Sequence, residues 1–365
     1  MTVCATEKTT TAPLTITTDG AYAARLAGEG EARYPERWTL GGPEPYAVPL
    51  PLAQPEEADS EVQPLADGRV LIRRRVADRH AFALLYPSGT YTGPRPSGPG
   101  AGPRTGELPL GGIDAEDGLS VRLLPPAPDG SAAYALAVAG EETTVWQVAG
   151  HGSDGPRRAA VLPGRCSGGV WLDRTGRLLS LDREREGRVK AVAVDLTRGG
   201  VVTPLLQIAE DSDDRLLMAA PDSGLLLIRS DAPGEPRLGW GVLGSARPVR
   251  FPECLRLEDA RPFAVQPGQV LMPEACGVAL RVGEDGLALW RPADRHVFRL
   301  GAPAGWLGTG LWTPEGRLRL PYTTPETPCG LVTLTQPTAP PPPVHLDPPP
   351  KPATRPIPLQ QAPLG

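Results

Sequence analysis

The chain contains no asparagine and few aromatic residues, which make up 5% of its 365 positions. Lys8, Lys190 and Lys351 are its three lysines, so arginine carries almost all the positive charge. With abundant Ala, Gly and Pro, this bias reads as GC-rich coding more than as a site. The net charge is −5, which provides no electrostatic footprint for nucleic acid. No apolar run approaches the roughly 18 residues that would cross a bilayer. Met1–Lys8 lacks the basic and apolar regions of a signal peptide, and the expectation is a cytoplasmic monomer. The five cysteines, Cys4, Cys166, Cys254, Cys276 and Cys329, have no CxxC spacing and read as reduced thiols. No Gly-x-Ser-x-Gly elbow occurs. The nearest stretch, Cys166-Ser-Gly-Gly169, reads as a small-residue loop joining strands.

What the chain does have is a ladder of glycines. Gly20, Gly68, Gly130, Gly176, Gly224, Gly268 and Gly316 are separated by 48, 62, 46, 48, 44 and 48 residues. Most lead into a short apolar run, as in Leu65-Ala-Asp-Gly-Arg-Val-Leu-Ile72. Asp-Gly between alternating runs is a strong hairpin signal, because the turn needs positive φ. Strand–turn–strand units repeating at this period define an all-β, seven-bladed β-propeller with blades of about four antiparallel strands. Residues 13–335 form the propeller in this reading. Residues 1–12 precede it as a candidate closing strand, and 336–365 follow as a disordered Pro-rich tail. Either Val3–Thr6 or Val344–Leu346 would complete blade seven, in which three strands are legible.

The pattern places most blade boundaries directly. In blade two, the Gly/Pro run from Pro87 to Glu107 reads as an excursion that explains the one long step, with Leu108–Leu110 as a short outer strand. In blade four, Val170–Leu172 reads as the inner strand. In blade six, Phe263–Val265 reads as pairing with Val270–Met272 across Pro267-Gly268, with an irregular stretch near Glu274. Trp146, Trp171, Trp240, Trp290 and Trp312 read as core between blades. Arg73-Arg-Arg75 must send at least one arginine between blades, where it needs a carboxylate or carbonyl partner.

The search for chemistry finds no nucleophile, triad, cofactor motif or metal motif, and the expectation is a non-enzyme. The acidic groups Glu56–Glu61, Asp114–Asp117 and Glu210–Asp214 lack calcium-loop spacing. The histidines His80, His151, His296 and His345 are scattered, although Asp78-Arg-His80 and Asp294-Arg-His296 repeat one tripeptide. The seven glycine turns should share one face of the propeller. The loops between blades then lie on the other, which is the expected docking face. Candidate partner-binding residues there are Glu210, Asp211, Asp213, Asp214, Arg183, Glu184, Arg185 and His80.

Pro128-Asp-Gly-Ser-Ala-Ala-Tyr-Ala-Leu-Ala137 and Asp67-Gly-Arg-Val-Leu-Ile72 resemble blades of TolB-type propellers. They are also similar to the N-terminal propeller of prolyl-oligopeptidase serine peptidases. The resemblance is at repeat level, over about residues 13–335, and implies the fold more than a function. It implies a non-catalytic binding or scaffold protein for a protein or peptide partner. The alternative it implies is the substrate-gating propeller of an α/β-hydrolase whose catalytic domain is absent from this chain. The peptidase serine, aspartate and histidine have no matching positions here.

Overall fold

The computed structural model describes residues 14–30, 32–88, 104–150, 155–268, 272–335 and 337. Both candidate closing strands, most of the Pro-rich tail and the tip of the blade-two excursion lie outside them. The strands form six antiparallel sheets, one of which is two units joined by a single parallel pair, Lys190 with Asp214. Counted by unit there are seven blades. Blade one is Thr15–Ile16, Tyr22–Ala27, Tyr34–Thr39 and Tyr46–Pro49, hydrogen-bonded in that order. Blades two, three, four and six repeat the four-strand meander. In blade five the fourth position is a single bridge between Trp240 and Arg250, and blade seven has three strands among the described residues.

The glycine turns link the blades into a ring. Gly68 lies against the Tyr22 ring of blade one, and the Ala66 amide donates to the Gly130 carbonyl of blade three (3.0 Å). Arg174 of blade four pairs with Asp222 of blade five, whose carboxylate also accepts the Gly268 amide of blade six (2.9 Å). Gln266 of blade six donates to the Pro314 carbonyl of blade seven (3.2 Å). Gly20 lies against Leu311, which brings blade seven back to blade one. Gly20 and Gly68, at φ 70° and 81°, sit in the left-handed region the sequence pattern requires of them. Arg319 fastens the same seam by donating to the Leu40 carbonyl (2.9 Å).

Between blades the core is aliphatic, with buried tryptophans on third strands (Trp38, Trp240, Trp290) and on inner strands (Trp171, Trp312). Trp38, Trp290 and Trp312 are at most 1% exposed, and Trp171 and Trp240 are buried beside them. Arg73 is buried and donates to the Asp59 carbonyl, while Arg74 pairs with Glu56 (2.8 Å) and Glu107. The partners demanded by the triple arginine are therefore present.

Three local readings are corrected. The third and fourth strands of blade two, Arg79–Ser88 and Arg104–Asp114, run far into the expected excursion. They pair all the way from Arg79–Asp114 to Ser88–Arg104, with Tyr86 packed over Gly106, so the glycine there serves strand contact. In blade six the partner of Ala260–Val265 is Val278–Val282, beyond a 3₁₀ turn at Pro273–Ala275. The Gln266 amide donates to the Gly277 carbonyl (2.7 Å), and of the expected strand Val270–Met272 the first two residues lie outside the described residues. In blade four the inner strand is Arg165–Trp171, so Cys166–Gly169 belongs to a strand, with a bulge between Ser167 and Val170.

Asp214 joins blades four and five. It is 0% exposed and accepts from Lys190 Nζ (2.8 Å), Ser230 Oγ (2.6 Å), Ser212 Oγ (2.9 Å) and the Ile208 amide (2.9 Å). Burial alone would raise its pKa, but these donors, led by Lys190, hold the carboxyl below its usual range. Asp214→Ala leaves the Lys190 ammonium half-buried without its acid, and should cost about 3 kcal/mol in urea unfolding. Asp214→Asn should cost less. A loss below about 0.5 kcal/mol for the alanine variant would show that the pair does not hold the two blades together.

Candidate functional site: the central channel

Each blade begins with a strand nearest the axis, and in every blade but the fifth, whose first strand also bridges Lys190 of blade four at Asp214, that strand is paired on one side only among the described residues. Its other edge, with main-chain N–H and C=O groups, faces inward. Together these edges surround a cavity of about 800 Å³, lined by six of the seven blades. The wall is mostly apolar, through Ile16, Val62, Leu123, Met218, Phe263 and Leu311. Thr17 and Thr18 of blade one, Pro125 and Pro126 of blade three, Asp222 and Pro267 line the end beneath the glycine turns. There the Thr18 hydroxyl donates to the Ala127 carbonyl of blade three (3.3 Å), a reach past blade two that narrows this end. Ala58, Ser60 and Thr309 line the opposite end, below the loops between blades.

Charge enters the channel at Glu61, Arg122 and Asp222. Glu61 of blade two accepts the Leu123 amide of blade three (2.5 Å) and faces Arg73 (3.4 Å). Asp222 is held by Arg174 and the Gly268 amide, and its pKa is lowered first by Arg174. Arg122 reaches the Gly168 carbonyl at the blade-four bulge. Burial pulls its guanidinium below the usual arginine value, against the opposing pull of Glu61 and Asp182.

Blade four is the one blade whose inner strand does not line the cavity. Beneath its bulge lies Asp182, 5% exposed, which accepts the Leu216 amide of blade five (3.1 Å). Arg215 approaches Asp182 at 3.9 Å and Ser167 Oγ at 3.4 Å. A side chain at Gly168 would collide with the Asp182 carboxylate, at 2.9 Å from a Cβ, and φ there is 72°, so this glycine is required twice over. Burial dominates at Asp182 and pushes its pKa up to about 6, against the Leu216 hydrogen bond and the two arginines.

The sequence-derived docking residues fall in three groups. Glu184 and Arg185 stand exposed on the hairpin tip of blade four, with half-buried Arg183 behind them. The adjoining blade-four-to-five loop exposes Glu210 and Asp211, and Asp213 ties the two together by accepting the Val189 amide (3.0 Å). Asp214 and His80 are buried and do not reach the surface. His80, on blade two, lies with Nδ1 3.2 Å from Arg73 Nη1, so the arginine donates to a neutral ring. Burial, then Arg73 and Arg75, holds its pKa below the usual value. Arg122 is the residue that sequence reasoning missed, and Glu61 and Asp182 were read only as members of charged loops. An arginine inside the axial strand Ser120–Leu123 was the available signal.

No family model matches the chain, and no curated protein matches its sequence. Solved structures do match in fold. Prolyl oligopeptidase B from Galerina marginata, as the apo protein, has a TM-score of 0.50 at 10% identity, over 88% of this chain and 46% of that one. The S577A mutant of that enzyme, bound to a 35mer hydrolysis and macrocyclization substrate, has a TM-score of 0.50 at 9% identity over the same shares. A putative TolB from Agrobacterium tumefaciens covers 90% of both chains at 15% identity and a TM-score of 0.40. This chain therefore spans less than half of the prolyl oligopeptidase B chain. The fold is a β-propeller, similar in fold to part of prolyl oligopeptidase B.

Asp182 gives the site a pH signature. A carboxyl whose pKa rises on folding favours the folded state while protonated, so its contribution is complete below about pH 4 and is lost as pH rises through about 6. Asp182→Asn keeps the oxygen that accepts the Leu216 amide and removes the buried charge. At pH 7 it should raise unfolding stability by about 1–3 kcal/mol, with no gain near pH 4. An equal change at both pH values would assign the effect to packing.

Proposed function

We propose that this propeller is a binding module that takes an extended segment of a protein partner into its central channel. The observation that carries the reading is the set of unpaired strand edges around an apolar cavity. Main-chain N–H and C=O groups of an extended peptide can pair with such edges, while shallow apolar walls accept alternate side chains. The volume falls within the range of ordinary ligand pockets, about 300–1,000 Å³. The narrowing at Thr18 and Ala127 favours entry from the loop face. Access there is framed by the loops that bear Glu210 and Asp211.

A second reading, that the channel admits peptides to a partnering hydrolase, is favoured by the likeness to prolyl oligopeptidase B. Co-purification of an α/β-hydrolase with the tagged chain separates this from a scaffold.

Filling the channel tests the first reading. Among fluorescein-labelled extended peptides that bind the protein, Met218→Trp should weaken affinity about tenfold or more, equivalent to about 1.4 kcal/mol. Val201→Ser, on an exposed outer strand of blade four, should leave it unchanged. Binding that survives Met218→Trp and falls with Val201→Ser would place the site on the outer rim.

A further inference from the structure

The loop-face mouth of the channel is asymmetric in charge. At the ends of the blades nearest this mouth, blades five and six carry arginine in facing pairs: Arg215 opposite Arg229, and Arg261 opposite Arg281. Like charges directly opposite on antiparallel strands work against the sheet, so two successive pairs are a cost in the free protein. Acid relief for them is thin. Arg215 has Asp182 at 3.9 Å, and that carboxyl resists ionisation in its buried position. Arg261 has Asp259 at 3.4 Å, with both side chains at least 60% exposed, where an ion pair contributes little. Arg229 donates one N–H to the Ala260 carbonyl (2.7 Å); burial first, then Arg261 and Arg215 as like charges, pull its pKa down, and the acids near it, Glu235, Glu258 and the opposing Asp259, are all exposed. A guanidinium has five N–H donors, so each of these three retains some for another acceptor. Blade two has arginines at the same end of its strands, but there Arg73 lies opposite Glu61 (3.4 Å) and Arg74 pairs with Glu56 (2.8 Å) and Glu107.

We propose that this rim selects an anionic segment, with carboxylates docking on Arg215, Arg229 and Arg261 as an extended peptide enters the channel. The inference rests on the channel reading above and adds the charge of what is bound. Arginine suits the task because its fork can hold a carboxylate through two parallel hydrogen bonds. An anion between the facing arginines also removes the repulsion they suffer in the free protein.

The test uses labelled ten-residue peptides of alternating valine with Asp, Asn or Lys, all amidated, and the Asn peptide again with a free C-terminal carboxylate. By fluorescence anisotropy at low salt, the Asp peptide should bind about tenfold or more tightly than the amidated Asn peptide. The advantage should shrink in high salt as the charges are screened. The double variant Arg229→Gln, Arg261→Gln should abolish it while the circular dichroism spectrum stays unchanged. A gain for the free-carboxylate Asn peptide assigns recognition to a chain end; a gain for the Asp peptide alone assigns it to side chains. Equal affinity of the Asp peptide and both Asn peptides overturns the charge selection and leaves the channel reading standing. Saturable binding by none of them overturns both. A single-stranded oligonucleotide that outcompetes the Asp peptide overturns the assignment to peptide.

Discussion

A β-strand at the end of a sheet has one edge with nothing to pair with. In this propeller that edge belongs to the first strand of the blades that line the channel, bridged to a neighbour at Asp214 alone in blade five, and the blades radiate, so the edges converge on one axis without pairing with each other. Sheet twist and the side chains packed in the wedges between blades set the spacing, and the spacing leaves a hollow. The hollow is thus forced by the fold, and its lining of main-chain donors and acceptors follows from the same constraint. Exposed edges of this kind are ordinarily a hazard that proteins cover. Here they are turned inward, where a single extended segment can reach them and a second sheet cannot.

The ring that encloses this hollow is held by two kinds of contact. Aliphatic side chains and buried tryptophans fill the wedges between blades, and their burial supplies the bulk of the stabilisation. Charged and polar groups then fix how neighbouring blades sit. Asp222 takes Arg174 from one side and the Gly268 amide from the other, and Asp214 gathers Lys190, two serines and an amide at the junction of blades four and five. Both carboxyls are fully provided with donors, and both have lowered pKa values. Asp182 is the exception: its one close donor is an amide, its arginine neighbours stand further off, and burial wins. A carboxyl whose pKa is pushed up to about 6, below the bulge in blade four's inner strand, marks the place where the ring departs from regular repetition.

The repeat was legible because it depends on local chemistry. Turn glycines at positive φ and alternating strands announce themselves within a few residues, so the ladder, the strand-borne tryptophans and the need for partners at Arg73–Arg75 could all be read directly. Where reading failed, longer-range contact had overridden local preference. Gly and Pro near residue 104 looked like loop, yet Tyr86 covers Gly106 and the hairpin extends. Val270–Met272 looked like the partner of Phe263–Val265, yet that pairing goes to Val278–Val282 further along the chain. The site was less legible still. Asp214 and His80 look like surface groups in sequence, and only three-dimensional packing shows them buried. Arg122 and Asp182, sixty residues apart in the chain, meet at Gly168 because blades three and four are neighbours, and no spacing rule announces that.

Hydrogen exchange at the inner strands tests the channel as the binding site most directly. With the Asp-containing peptide bound, amides of Glu61–Gln63, Ser120–Leu123 and Ala260–Val265 should exchange more slowly, while the outer strands Tyr46–Pro49 and Phe298–Gly301 stay as they were. Protection confined to outer strands, with the axial edges unaffected, would contradict the account.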